Sequence, residues 1–152
     1  MDAIDARIIA ALQRDGRQKL ADLSEKVGLS PTPLARRIAR LEEDGVITGY
    51  SARVDQERLG LPLNVFIFVE LEHQTRDALD RFETALRRFD EVMECYLMTG
   101  TRDVLLRVVA KDLGAFDRFL EEGLMQVPGI RNMRSGFALR TMIRRNALPQ
   151  RP

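Results

Sequence analysis

Three arginines, Arg36, Arg37 and Arg40, hold the most concentrated chemistry in the sequence, because they share one short stretch whose apolar residues repeat at helical spacing. A guanidinium offers a fork of N–H donors that fits guanine O6 and N7 or phosphate oxygens. On a wheel of about 100° per residue, Leu34, Ile38 and Leu41 cluster on one side, Thr32, Arg36 and Arg40 face the opposite way, and Arg37 lies on the flank. This arrangement assigns Arg36 to base edges, Arg37 and Arg40 mainly to phosphate, and the hydroxyls of Ser30 and Thr32 to backbone or bases. Taken alone, such a helix reads first as a solvated face answering Glu42, Glu43 and Asp44.

Other reactive side chains are sparse. Cys95 is the single cysteine and lies in an apolar stretch, Val92 to Met98, which predicts a buried structural thiol. His73, the single histidine, sits beside Glu72 at the end of a strand-like run, where it is expected to be exposed; alone it cannot supply a catalytic zinc site. There is no nucleophile elbow, no metal-spaced histidine set, no phosphate-binding glycine loop and no acid–base pair, so no catalytic residue, metal or cofactor is expected.

The formal net charge is +1, so any charge for nucleic acid must be concentrated locally. No acidic residue follows Glu122, whereas Arg131, Arg134, Arg140, Arg144, Arg145 and Arg151 do. These arginines read first as balance for acidic surface elsewhere, with extra phosphate contacts as the alternative. No apolar run approaches the roughly 20 residues that span a bilayer, and charge begins at Asp2; both features predict a cytoplasmic protein with no membrane partner.

The elements that must position these residues follow from periodicity and punctuation. Asp2 caps a first helix carrying Ile4, Ile8, Ala11 and Leu12, ended at Gly16; a second carries Leu20, Leu23 and Val27 and closes at Gly28; Ser30 caps the third, with Pro31 in its first turn. Two helices joined by a glycine-containing turn form a helix-turn-helix pattern. Residues 46–53 then read as a small wing or exit strand, and Pro62 closes a linker. From Leu63 the period changes to a strand, a helix with Leu79, Phe82, Leu86 and Phe89, two strands (92–99 and 103–110) joined by the turn Gly100-Thr101-Arg102, a second helix stopping near Pro128-Gly129, and a last strand over 130–143. The order β-α-β-β-α-β is the split arrangement of ferredoxin-like domains. The expected class is therefore α+β: a winged-helix-like helix-turn-helix domain at 1–50, a linker at 51–62, a ferredoxin-like domain at 63–143 and a tail at 144–152.

The run LSPTPLARRIARLEEDGVITGY, Leu29 to Tyr50, resembles the recognition helix and following segment of the Lrp/AsnC, or feast/famine, family of transcription regulators. The likeness extends along nearly the whole chain, through Asp2-x-x-Asp5, Glu94-Cys95-Tyr96, Thr99-Gly100-x-x-Asp103 with Leu105-Leu106, Val127-Pro128-Gly129 and Ser135-x-Phe137. The resemblance implies promoter DNA as a partner, a C-terminal domain for sensing and oligomerisation, a homodimer built by pairing its sheets and often assembled into octamers, and amino acids or related metabolites as effectors. It also tips the reading of the arginine face towards DNA.

Carried over residue by residue, the resemblance places effector binding at Thr99, Gly100, Thr101 and Asp103, with Ser135 on the last strand as an addition. Asp103 then receives an ammonium group, or else simply caps the turn as a strand-end aspartate. The chain departs from the family pattern at this turn: Thr101, Arg102 and Val104 stand where acidic and aromatic residues are frequent, and Arg102 is suited to contact a carboxylate or to plug the site. Some proteins that resemble the family are tetrapyrrole decarboxylases of the same two-domain layout, which makes an enzyme the alternative; that chemistry calls for a large pocket with histidine and basic residues.

Overall fold

The computed structural model describes residues 1–100 and 102–149. The chain divides into two units: Met1–Arg53 together with the described residues from Met142 onward, and Val54–Thr141.

The first unit is built from three helices, α1 (Ala3–Arg14), α2 (Leu20–Val27) and α3 (Pro31–Glu43). The α1 start is a reciprocal capping box, because the Asp2 carboxylate accepts from the N–H groups of Ile4 and Asp5 while Asp5 accepts from the Asp2 N–H. The turn into α3 needs Gly28, whose φ of +72° lies in the left-handed region. Ser30 precedes α3 with extended backbone, yet its side chain makes no capping hydrogen bond; Pro31 opens the helix without it. The apolar stripes converge on Ile8, Leu23, Val27, Leu34 and Leu41, all buried. Full burial of each such side chain stabilises by about 1.5–3 kcal/mol, which is what a unit this small depends on.

Residues 46–53 form no strand. The N–H groups of Val46 and Ile47 both donate to the Leu41 carbonyl at 2.9 Å, so this segment finishes the end of α3 rather than pairing with another strand. Further on, the chain returns to the first unit, where Gln13 and Leu148 bond reciprocally: the Leu148 N–H donates to Gln13 Oε1 at 2.6 Å and Gln13 Nε2 donates to the Leu148 carbonyl at 3.5 Å.

The second unit is a four-stranded antiparallel sheet with helices on one face. Its elements are β1 (Leu63–Leu71), α4 (Arg76–Leu86), β2 (Val92–Leu97), β3 (Val104–Ala110), α5 (Leu113–Arg118) and β4 (Ile130–Phe137), in the spatial order β2-β3-β1-β4. The α5 helix continues through a π turn, Phe119–Gly123, and a 3-10 turn, Leu124–Gln126. Alternation along β1 and β3 sends Val65, Ile67, Val69, Val104, Leu106 and Val108 to the helices, where they meet Phe82, Leu86, Phe116 and Leu124. Phe66, Phe68, Leu105 and Arg107 alternate with these core residues and so face the other side of the sheet.

The last strand is shorter than the sequence suggests, ending at Phe137 instead of Ile143. Its ladder runs out where β1 begins: the Ala138 N–H still donates to the Asn64 carbonyl, but Pro62, two residues earlier, has no N–H to offer. Cys95 is exposed, against the expectation of burial. It lies on β2, an edge strand whose neighbours Tyr96, Leu97 and Met98 are themselves exposed. Partial burial and the nearby Glu83 charge raise its thiol above the usual cysteine range, which disfavours the reactive thiolate.

Candidate DNA-binding face and effector turn

The third helix separates its two faces as the wheel predicts. Leu34 and Leu41 are buried, Ile38 is half-buried, and Thr32, Arg36 and Arg40 are exposed. Arg36 makes no ion pair or side-chain hydrogen bond among the described residues, and the Ser30 hydroxyl is not taken up as a cap. Both groups keep their donors for an outside partner.

Arg37 and Arg40 keep the positions the wheel gives them but carry ion pairs that the wheel does not show. Arg37 Nη1 donates to Asp2 Oδ2 at 2.7 Å and to Asp5 Oδ1 at 2.8 Å, and Arg40 Nη2 donates to Asp5 Oδ2 at 2.8 Å. Asp5 is 1% exposed. Each arginine of the pair that the sequence assigns mainly to phosphate thus already holds a carboxylate from α1. Burial alone would raise the Asp5 carboxyl, but the Asp2 N–H, the Arg37 side chain and the Arg40 charge outweigh it and leave it lowered. The Asp2 carboxyl falls from 3.8 to about 2, chiefly through the Asp5 N–H and next through Arg37. Sequence reasoning singled out Asp2 and Asp5 without linking them to the arginines; the opposite charges were the available signal, but nothing local connects residues 32 to 35 positions apart. Tyr50 was also missed: its hydroxyl donates to Glu42 at 2.8 Å and ties the segment after α3 back to that helix.

In the second unit the β2–β3 hairpin is closed by the Met98 N–H donating to the Asp103 carbonyl at 2.8 Å, with Gly100 at φ +112° in the turn. Thr99 and Gly100 are exposed there, whereas Thr101 lies outside the described residues. Asp103 works for the fold: Oδ2 accepts from the Leu71 N–H at 2.7 Å, Oδ1 accepts from Gln74 Nε2 at 2.6 Å, and its own N–H donates to the Val69 carbonyl. The Asp103 carboxylate thus pins the hairpin to the end of β1. Arg102 lays its guanidinium over the Phe68 ring, 4.9 Å from the centroid, a contact sequence reasoning did not anticipate.

Ser135 does not join the turn within one chain. It pairs with Ile67, which pairs in turn with Leu106, so β1 intervenes and Asp103 lies three residues along. Strand spacings put the two about 14 Å apart. Beside α4 there is also an open groove of about 770 Å³, lined by His73, Glu72, Asp80, Arg81, Arg88 and apolar residues. Among the described residues no group of three or more His, Cys, Asp or Glu could hold a metal ion, and no helix is long and apolar enough to cross a membrane.

Known proteins share this layout throughout. Residues 1–48 match the winged helix-turn-helix DNA-binding model and residues 64–148 match the Lrp/AsnC ligand binding domain. The chain is 48% identical over 149 residues to the Bkd operon transcriptional regulator of Pseudomonas aeruginosa, covering 98% of this chain and 97% of that protein. It is 36% identical to the leucine-responsive regulatory protein of Escherichia coli K12, covering 97% and 90%. Among solved structures, a Neisseria meningitidis transcriptional regulator in complex with L-methionine superposes with a TM-score of 0.92 at 34% identity, covering 98% of this chain and 96% of that one. An AsnC family regulator from Agrobacterium tumefaciens gives 0.92 at 38% identity, covering 98% and 97%. With a DNA-binding helix-turn-helix followed by a ligand-binding sheet domain, the chain belongs to the Lrp/AsnC family of transcription regulators.

Proposed function

We propose that this regulator reads promoter DNA through Arg36, flanked by Ser30 and Thr32, and that an amino acid or a related small metabolite bound near the β2–β3 turn changes its occupancy of that DNA. The observation that carries the DNA half is the exposed Arg36, without an internal partner among the described residues, beside a serine hydroxyl not used as a cap. A bidentate arginine–guanine contact discriminates by about 1–3 kcal/mol. Fluorescence anisotropy against duplex from the upstream region of its own gene, with a scrambled control, tests this. Arg36→Ala should lower the preference for the upstream duplex roughly ten- to a hundredfold, in line with that magnitude. Equal binding by both proteins to both duplexes would discard the assignment.

The effector half is supported by a leucine-responsive relative and by a methionine-bound structural neighbour. Thr99 and Gly100 expose backbone and hydroxyl groups suited to an amino acid, and Arg102, held on Phe68, suits a carboxylate. Effector action requires unequal affinity for two states, with a coupling of about 1–3 kcal/mol. The face of the sheet that carries Phe66, Phe68 and Leu105 supports a homodimer by sheet pairing, two copies of α3 then meeting successive major grooves. Further assembly into octamers, a cytoplasmic location and a regulatory rather than enzymatic role complete the reading. A thermal-shift screen of the twenty amino acids, read alongside sedimentation velocity, tests the effector and the assembly together.

A further inference from the structure

We infer that Asp5, projecting from α1, is a specificity-determining residue of the DNA-binding face: it withholds Arg37 and Arg40 from phosphate and leaves Arg36 as the arginine of α3 that meets DNA. The inference rests on α3 being that face and goes on to say which of its charges are in play.

Asp5 is buried and receives three donors, the Asp2 N–H, Arg37 Nη1 and Arg40 Nη2, at 3.0, 2.8 and 2.8 Å. Pulling either arginine towards a phosphate would leave a buried carboxylate under-compensated, which is far more costly than breaking a surface pair. A phosphate approaching Arg37 also meets Asp2, whose carboxylate is 53% exposed and bonded to the same guanidinium nitrogen. Two carboxylates against two guanidiniums leave this flank of the helix close to neutral. Arg40 is half-exposed, yet its charge is matched by Asp5 at contact distance. Arg36 has neither constraint. The consequence is thermodynamic: phosphate contacts supply sequence-independent affinity through counterion release, so muting two of three arginines restrains binding to arbitrary DNA while sparing base reading.

The test is the salt dependence of binding by the full chain to upstream and scrambled duplexes, for wild type, Asp5→Asn, Arg37→Gln and Arg36→Ala. Each phosphate contact contributes about 0.9 to the slope of log K against log salt. Arg37→Gln should leave the slope unchanged, whereas Asp5→Asn, checked for folding by circular dichroism, should steepen it by about 1–2 units and raise scrambled-DNA binding at low salt by about tenfold or more. A slope shallower by about 0.9 in Arg37→Gln overturns the inference, as does a folded Asp5→Asn with the wild-type slope. If Asp5→Asn does not fold, the Arg37→Gln slope decides alone. Failure of the underlying reading of α3 shows elsewhere, as wild-type protein with no preference for the upstream duplex and an Arg36→Ala variant indistinguishable from it.

Discussion

Asp5, buried in the helical unit, and Asp103, half-buried in the sheet unit, are both carboxylates that join segments distant in sequence, but they are answered by different kinds of donor. Asp5 meets two guanidiniums and one backbone N–H. Among the described residues Asp103 meets only neutral amides, from Leu71 and Gln74. The first arrangement couples two helices and cancels charge on the surface proposed to face DNA. The second has no ion pair among the described residues and holds the geometry of the turn, at the place where a ligand is expected. A carboxylate next to arginine sets electrostatics, whereas one next to amides sets shape.

The largest expected effect lies in the core beneath α3. Leu41→Ala should cost about 2–5 kcal/mol and remove amide protection from residues 1–53 first; hydrogen exchange showing equal loss in β1 and β3 would mean that the two units do not unfold separately. Next comes Asp103→Ala, which orphans the Leu71 N–H and frees Gln74. It should lower stability by about 1–3 kcal/mol in chemical denaturation and weaken binding of any effector found in the screen, with upstream-DNA affinity in the absence of effector unchanged. A variant with normal stability that loses ligand would shift Asp103 from turn geometry to direct contact.

Arg102→Ala should cost about 0.5–1 kcal/mol through the lost contact with Phe68; if it strengthens effector binding, Arg102 is a plug rather than a carboxylate donor. The smallest effect concerns acid. The folded-state carboxyl of Asp2 is lowered from 3.8 to about 2, so its contribution is complete above the unfolded value and is lost as pH falls through that interval. Asp5 shifts in the same direction. Asp2→Asn, which keeps a good capping side chain, should flatten the acid-unfolding curve between pH 4 and 2; overlapping curves would remove Asp2 from the electrostatics of this helix pair.

What could be read from sequence was what neighbours in sequence determine. The Asp2 cap, the left-handed Gly28, the Leu34–Leu41 stripe and the alternation of β1 and β3 all depend on spacings of a few residues. The helix-turn-helix and the β-α-β-β-α-β order followed from them, and the family pattern supplied their purpose. Misreadings arose where a distant segment decides. Cys95 sits among apolar residues, but an edge strand has a partner on one side only. The run to Ile143 has strand composition, but Pro62 ends the ladder it would need. At the site, the exposure of Arg36 was legible from the wheel, while the pairing of Arg37 and Arg40 required α1 and α3 to be brought together in space. The turn residues came from resemblance, and neither the anchoring of Asp103 nor the stacking of Arg102 has a local signature.

The bond between Gln13 and Leu148 joins positions 135 apart in sequence. A ribosome delivers the three helices first, then every strand of the sheet, and only afterwards the segment that straps back onto α1. The helical unit, synthesised before the sheet, thus gains this contact only after the sheet has been made, and a chain truncated before Leu148 presents α3 without it.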